Sequence, residues 1–159
     1  MTWFSPSGVA WNGVSRRLAT ARLLLWWLFI GAVIAGAMAA AVAVGSAMWI
    51  APAGLILLGL WVSWIIVRQV RIHAWAERDD DLMVRRGRLF RRVTVVPYGR
   101  LQFVDVTAGP LSRSLGIARV QLHTASPGTD AHISGVPAEE AATLRDRLTA
   151  RGEARLAGL

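Results

Sequence analysis

Residues 23–67 read LLLWWLFIGAVIAGAMAAAVAVGSAMWIAPAGLILLGLWVSWIIV, 45 consecutive residues without an Asp, Glu, Lys, Arg or His. A soluble core in a chain of 159 residues cannot absorb such a run. As a single helix at about 1.5 Å per residue it would extend roughly 68 Å, more than twice the ~30 Å of a bilayer's hydrocarbon. The run therefore divides into two spans, 23–44 and 47–67, broken at Gly45 and Ser46. Trp26 and Trp27 open the first span; Trp49 opens the second and Trp61 and Trp64 close it, positions at which indoles sit at headgroup level. Pro52 falls in the first turns of the second span, where proline costs least. Two spans with almost no loop make a transmembrane helical hairpin, 23–67. Gly31, Ala35, Ala39 and Ala43, spaced by four, are read as the face that packs on the second span, with a dimerisation face as the alternative.

Outward from the hairpin, charge sets the topology. Arg16, Arg17 and Arg22 precede it, Arg68 and Arg71 follow it, and the connecting turn carries none. The positive-inside rule then places both termini in the cytoplasm of a multi-pass plasma-membrane protein, with residues 1–22 as a short cytoplasmic segment. Ser15-Arg16-Arg17 ahead of an apolar stretch imitates a cleaved leader, but the stretch exceeds the 7–15 residues of a signal core and a second span follows at once. The net charge of +8 divides into +3 before Leu23 and +5 after Val67. With no cysteine, disulfides, thiolate nucleophiles and Cys-ligated metals are excluded.

After Val67 the texture becomes an alternation of polar and β-branched residues, the pattern of half-buried strands. Strands are predicted near 71–78, 82–86, 89–96, 100–107, 117–124 and 131–135. Asp79–Asp81, Arg86-Gly87-Arg88 and Pro97–Gly99 form the turns, and Gly109-Pro110 opens a longer connection. Pro137 opens a helix with Glu139 and Glu140 in its first turn and Ala141, Leu144 and Leu148 on one face, expected to cap the sheet. Residues 71–150 thus form one domain, and 151–159, rich in Gly and Ala, are expected to be a flexible tail. Connections too short for crossovers make the sheet an antiparallel meander.

The residues of this domain carry a family likeness. Asp81-Leu82-Met83-Val84-Arg85-Arg86-Gly87, then Val96-Pro97-Tyr98-Gly99-Arg100-Leu101-Gln102-Phe103-Val104-Asp105-Val106, then Gly109-Pro110-Leu111-Ser112-Arg113 and Leu115-Gly116-Ile117-Ala118, ending in Thr124-Ala125-Ser126, resemble the bacterial pleckstrin-homology-like domain of YdbS-type membrane proteins. The resemblance implies an α+β membrane protein in which the hairpin precedes a partly open antiparallel β-barrel with a C-terminal helix. It establishes no ligand, because folds host many functions. The lipid-binding eukaryotic version needs a basic first hairpin loop, and here that loop is Asp79-Asp80-Asp81, which repels a polyphosphorylated headgroup.

No catalytic constellation stands out. Glu139 and Glu140 are neighbours on a helix and do not face one another, no nucleotide loop or nucleophile elbow occurs, and neither span holds an ionisable residue to mark a transport path. His123 and His132 on adjacent strands are conceivable metal ligands without a third, and are read as solvated strand histidines. No cofactor, metal, nucleic acid or small-molecule substrate is expected. What remains is basic. Arg85, Arg86, Arg88, Arg91 and Arg92 lie within eight residues, and Arg113 sits in the connection expected to return to the membrane side. These six are the candidate contacts to anionic headgroups. Two roles stay open: a non-enzymatic, membrane-anchored interaction module that binds a partner protein or related membrane subunits, itself included, and a lipid-sensing or lipid-handling protein that uses the arginine cluster.

Overall fold

A computed structural model describes residues 8–45, 49–87, 92–125 and 130–158. Two long helices, α1 (Arg17–Val44) and α2 (Ile50–Val70), form the hairpin. Both are long and apolar enough to cross a membrane. Their outer faces are what a soluble fold would have to bury, with Leu28 75% and Ile50 81% exposed.

The helices meet through an indole and a glycine. The Trp27 ring lies where a Cβ on Gly59 would approach it to 3.3 Å, and Trp26 Nε1 donates to the Gly59 carbonyl at 3.2 Å. The expected small-residue face is not the contact. Ala35, Ala39 and Ala43 are exposed and nothing lies within 4 Å of a Cβ built on Gly31, whereas Ile30 and Ala41 are buried. Close approach needs a small residue on one helix only, and α2 supplies it.

Both helices outrun the apolar sequence. α1 begins six residues before Leu23, and α2 ends three residues after Val67, so the first domain strand starts at Ala74 rather than at 71. The added turns carry Leu18, Ala19, Ala21 and Val70, which are buried with Ile117 in a small second core flanked by Leu111 and Leu115. The base of the hairpin is therefore part of the domain.

The strands β1 (Asn12–Gly13), β2 (Ala74–Glu77), β3 (Asp81–Arg86) and β4 (Arg92–Pro97) form one antiparallel sheet in that order. A second is built from β5 (Leu101–Thr107), β6 (Ile117–Thr124) and β7 (Ala131–Pro137). The two sheets are not closed into a barrel. β1 comes from the segment read as a simple cytoplasmic tail; two residues of Asn-Gly carry no periodicity to announce it. The Gly109-Pro110 connection holds a short helix, α3 (Pro110–Ser114).

The main core lies between the sheets and the last helix, α4 (Ala138–Leu156). Trp75, Leu82, Val96, Tyr98, Val120, Leu122 and Ile133 pack with Ala141, Leu144 and Leu148. The helix face read from the sequence is thus the capping face, fully buried at all three positions. The expected flexible tail is corrected: α4 continues to Leu156, and Gly152 is buried where a Cβ would sit 3.6 Å from Leu101. Small residues there permit close packing of the last turns.

Candidate functional site: a cationic cleft at the base of the hairpin

The meander fixes two ends of the domain. β2 leaves α2 and carries the chain away from the spans for four residues, about 13 Å at 3.3 Å each. β3 returns, so that Arg85 pairs with Ala74 and Arg86 with Arg92. β6 starts and β7 finishes at the same near end, where Ile117 pairs with Pro137.

At that near end α1 is seated on the second sheet. Gly135 on β7 has φ +83°, and a Cβ there would lie 2.7 Å from Leu18 Cβ. Ser15 N donates to the Gly135 carbonyl at 2.8 Å, and Arg17 Nη1 donates to the Leu115 carbonyl at 3.1 Å. The positive φ and the missing side chain are both needed for the helix to come this close.

Beside this seat lies a cleft of about 300 Å³ whose lining includes Arg22 of α1, Thr107 of β5, Ser112 of α3, and Arg119 and Ser134 of β6 and β7. A smaller cavity of about 20 Å³ shares Arg22 and Ser134 with it and adds His73, Arg86 and His132. Arg119 Nε donates to Ser134 Oγ at 3.2 Å. Arg86 Nη1 lies 2.7 Å from Nε2 and 3.0 Å from Nδ1 of His132, and a neutral ring accepts from it at one of the two nitrogens, the tautomer deciding which. No carboxylate lines either space, and among the described residues Arg22, Arg86 and Arg119 have no acidic partner.

The histidines register this field. Burial, then repulsion from Arg22 and Arg86, pushes His73 down to about 4. Burial, then Arg86 and Arg119 ahead of His73 and Arg22, pushes His132 down to about 4 as well. Burial, with Arg92 and Arg119 nearby, also draws Arg86 below its ordinary value, though a guanidinium stays charged at neutral pH. At pH 7 the two spaces together are therefore lined by four positive charges, Arg22, Arg85, Arg86 and Arg119, and two neutral imidazoles.

The six arginines expected to meet headgroups are not brought together. Arg85 and Arg86 line the smaller cavity, Arg85 with its guanidinium over the Trp11 ring, 4.5 Å from its centroid. Arg92 and Arg113 are exposed, and Arg88 and Arg91 lie outside the described residues. The two histidines conceivable as metal ligands are not brought together. His132 faces Arg86, whereas His123 stacks on Phe103 at 4.2 Å and lies 3.5 Å from Asp105 and 3.7 Å from Asp130. His132 is not the fully solvated strand histidine expected, because it is half-buried and in contact with Arg86.

Sequence reasoning missed Arg22, Arg119, His73 and Ser134. Arg22 carries one local signal, as the last charge before the apolar run; the others meet it only through tertiary contacts.

The chain matches the bacterial PH domain family over residues 14–152, a span that takes in the hairpin as well as the sheets. It is 32% identical over 95 residues, 58% of its own length, to the UPF0699 transmembrane protein YdbS of Bacillus subtilis (strain 168). The match spans 58% of that protein's length. No solved structure matches. Hairpin, open antiparallel sheets and capping helix agree with the match over most of the chain, and the chain belongs to the bacterial PH domain family.

Proposed function

We propose that this chain is a non-enzymatic, membrane-anchored module whose hairpin holds the PH-like domain at the cytoplasmic leaflet, both termini inside, to bind a partner protein or related membrane subunits. The observation that carries the reading is the join between helix and sheet. Leu18 against Gly135, Arg17 on the Leu115 carbonyl and Val70 beside Ile117 fasten the domain to the spans. The domain is then presented to the membrane plane in one orientation. Among the described residues β4 pairs on one side only, with β3, and Val95 on it is 42% exposed. A free strand edge held at fixed height above a bilayer suits recognition by strand addition, which needs no pocket chemistry.

A photo-crosslinking residue at Val95 in the full chain tests this reading. Discrete protein adducts at Val95, absent from a crosslinker at the exposed Leu57 of α2, are expected. Adducts at neither site, or a C-terminal reporter that is active only when exported, would overturn it. The uncompensated arginines of the cleft favour a second reading, contact with anionic lipid.

A further inference from the structure

The cleft between α1 and the β5–β6–β7 sheet contrasts with the α4 side of the domain, where arginines find carboxylates: Arg147 and Arg151 on Glu77, Arg155 on Asp80, Arg145 on Asp146. Arg22 and Arg86 are half-buried, Arg119 is exposed on the cleft wall, and none of the three has an acidic partner among the described residues. Uncompensated guanidiniums in a recess are costly unless an anion enters.

The other groups define that anion. Arg119 and Ser134 hold one another in place on paired strands, and Thr107 and Ser112 add hydroxyls to the same wall. Guanidinium forks with neutral hydroxyl donors are the usual equipment for phosphate oxygens. A volume of about 300 Å³ is at the small end of ligand pockets, enough for one headgroup. Leu18, Ile117 and Ala118 give the cleft an apolar flank. Arg22 is followed directly by Leu23, the first residue of the charge-free run, so the cleft opens at the level where lipid phosphates lie.

We propose that this cleft is a binding site for the phosphodiester headgroup of an anionic membrane lipid, held by Arg22 and Arg119 with the hydroxyls of Ser112 and Ser134, and with the positive charge of Arg86 in the adjoining cavity behind them. The site is distinct from the acidic β2–β3 turn and from the exposed Arg92 and Arg113. It rests on the hairpin lying in a bilayer and does not depend on which face the domain occupies, so the topology reporter and the binding assay fail separately.

The experiment is calorimetric titration of the full chain, in non-ionic detergent, with short-chain phosphatidylglycerol, phosphatidylcholine or inorganic phosphate. Saturable, salt-sensitive binding of phosphatidylglycerol is expected, with phosphatidylcholine much weaker. Arg22→Gln with Arg119→Gln should weaken it by about tenfold or more, and Arg92→Gln with Arg113→Gln should leave it nearly unchanged. Ser134→Asp guards against a trivial unfolding result: its carboxylate would occupy the cleft from within, abolishing binding while thermal stability is kept or raised. Equal binding of both lipids, retention of binding in Arg22→Gln/Arg119→Gln, or its retention in Ser134→Asp overturns the site. Tight binding of inorganic phosphate that displaces the lipid overturns the lipid source and makes the occupant a soluble phosphate.

Discussion

The two ends of the domain use the same residue in opposite ways. At the end away from the spans, Glu77 accepts Arg147 at 2.7 Å and Arg151 at 3.5 Å, Asp80 accepts Arg155, and Arg151 also donates to the Tyr98 hydroxyl at 3.0 Å. At the end beside the spans, Arg22, Arg86 and Arg119 have no acid among the described residues. The chain has ten acids for eighteen basic residues, and the ion pairs it makes here lie away from the hairpin. The far end spends its arginines on holding α4 to the sheet; the near end keeps them for something outside the chain.

Four measurements break or sharpen this contrast. The largest effect is expected from Leu144→Ala, which removes a fully buried side chain of the main core and should cost about 2–5 kcal/mol in chemical denaturation. It sets the scale for the rest, and an effect near zero would mean that α4 does not cap the core. Next comes Gly135→Ala. It forces a side chain into positive φ and onto Leu18, at about 1–2 kcal/mol for the backbone and 1–3 for the clash. The loss should be concentrated at the near end, read as protease access to the Ser15–Leu18 segment while α4 stays protected. Uniform exposure would show that the two ends do not separate.

A pH titration gives the third and smaller effect. His73 and His132 have folded values near 4, below the ordinary 6.5, so between these limits the unfolded chain binds protons that the folded chain refuses. Their contribution is complete above about pH 6.5 and is lost as pH falls toward 4. The measure is the difference between the wild type and His132→Asn, which should flatten the decline. Parallel curves would mean that His132 does not feel the cleft's charge. The smallest effect belongs to the far end, where Glu77→Gln should cost about 1 kcal/mol and the exposed Asp80→Asn less, both shrinking in high salt.

The fold was legible where one period dominates a long segment. Forty-five uncharged residues allow only a hairpin, and the spacing of Ala141, Leu144 and Leu148 announces one helix face whatever it packs on. Legibility failed where short-range pattern and tertiary packing diverge. α1 starts at Arg17 because Leu18, Ala19 and Ala21 bury against Ile117, a contact spanning about a hundred residues that no local period encodes. Gly152 continues α4 because Leu101 lies against it, although a Gly-rich segment reads as fraying. The cleft was only partly visible for the same reason. Density of charge along the chain singled out Arg85 to Arg92, but what makes a site is the absence of acid in space, and of that cluster only Arg85 and Arg86, among the described residues, line the cavity that adjoins the cleft.

The continuity of α1 has a mechanical consequence. Its 28 residues span about 42 Å without a break, from the turn that carries Leu18 to the far end of the first span, and no linker separates the part in the bilayer from the part on β7. On the other side only Arg71 to His73 intervene between α2 and β2. A helix whose hydrophobic length exceeds the local thickness tilts to match it. With the lever stiff through the seat, tilt of the hairpin turns the sheet by the same angle, so bilayer thickness sets the attitude of the domain.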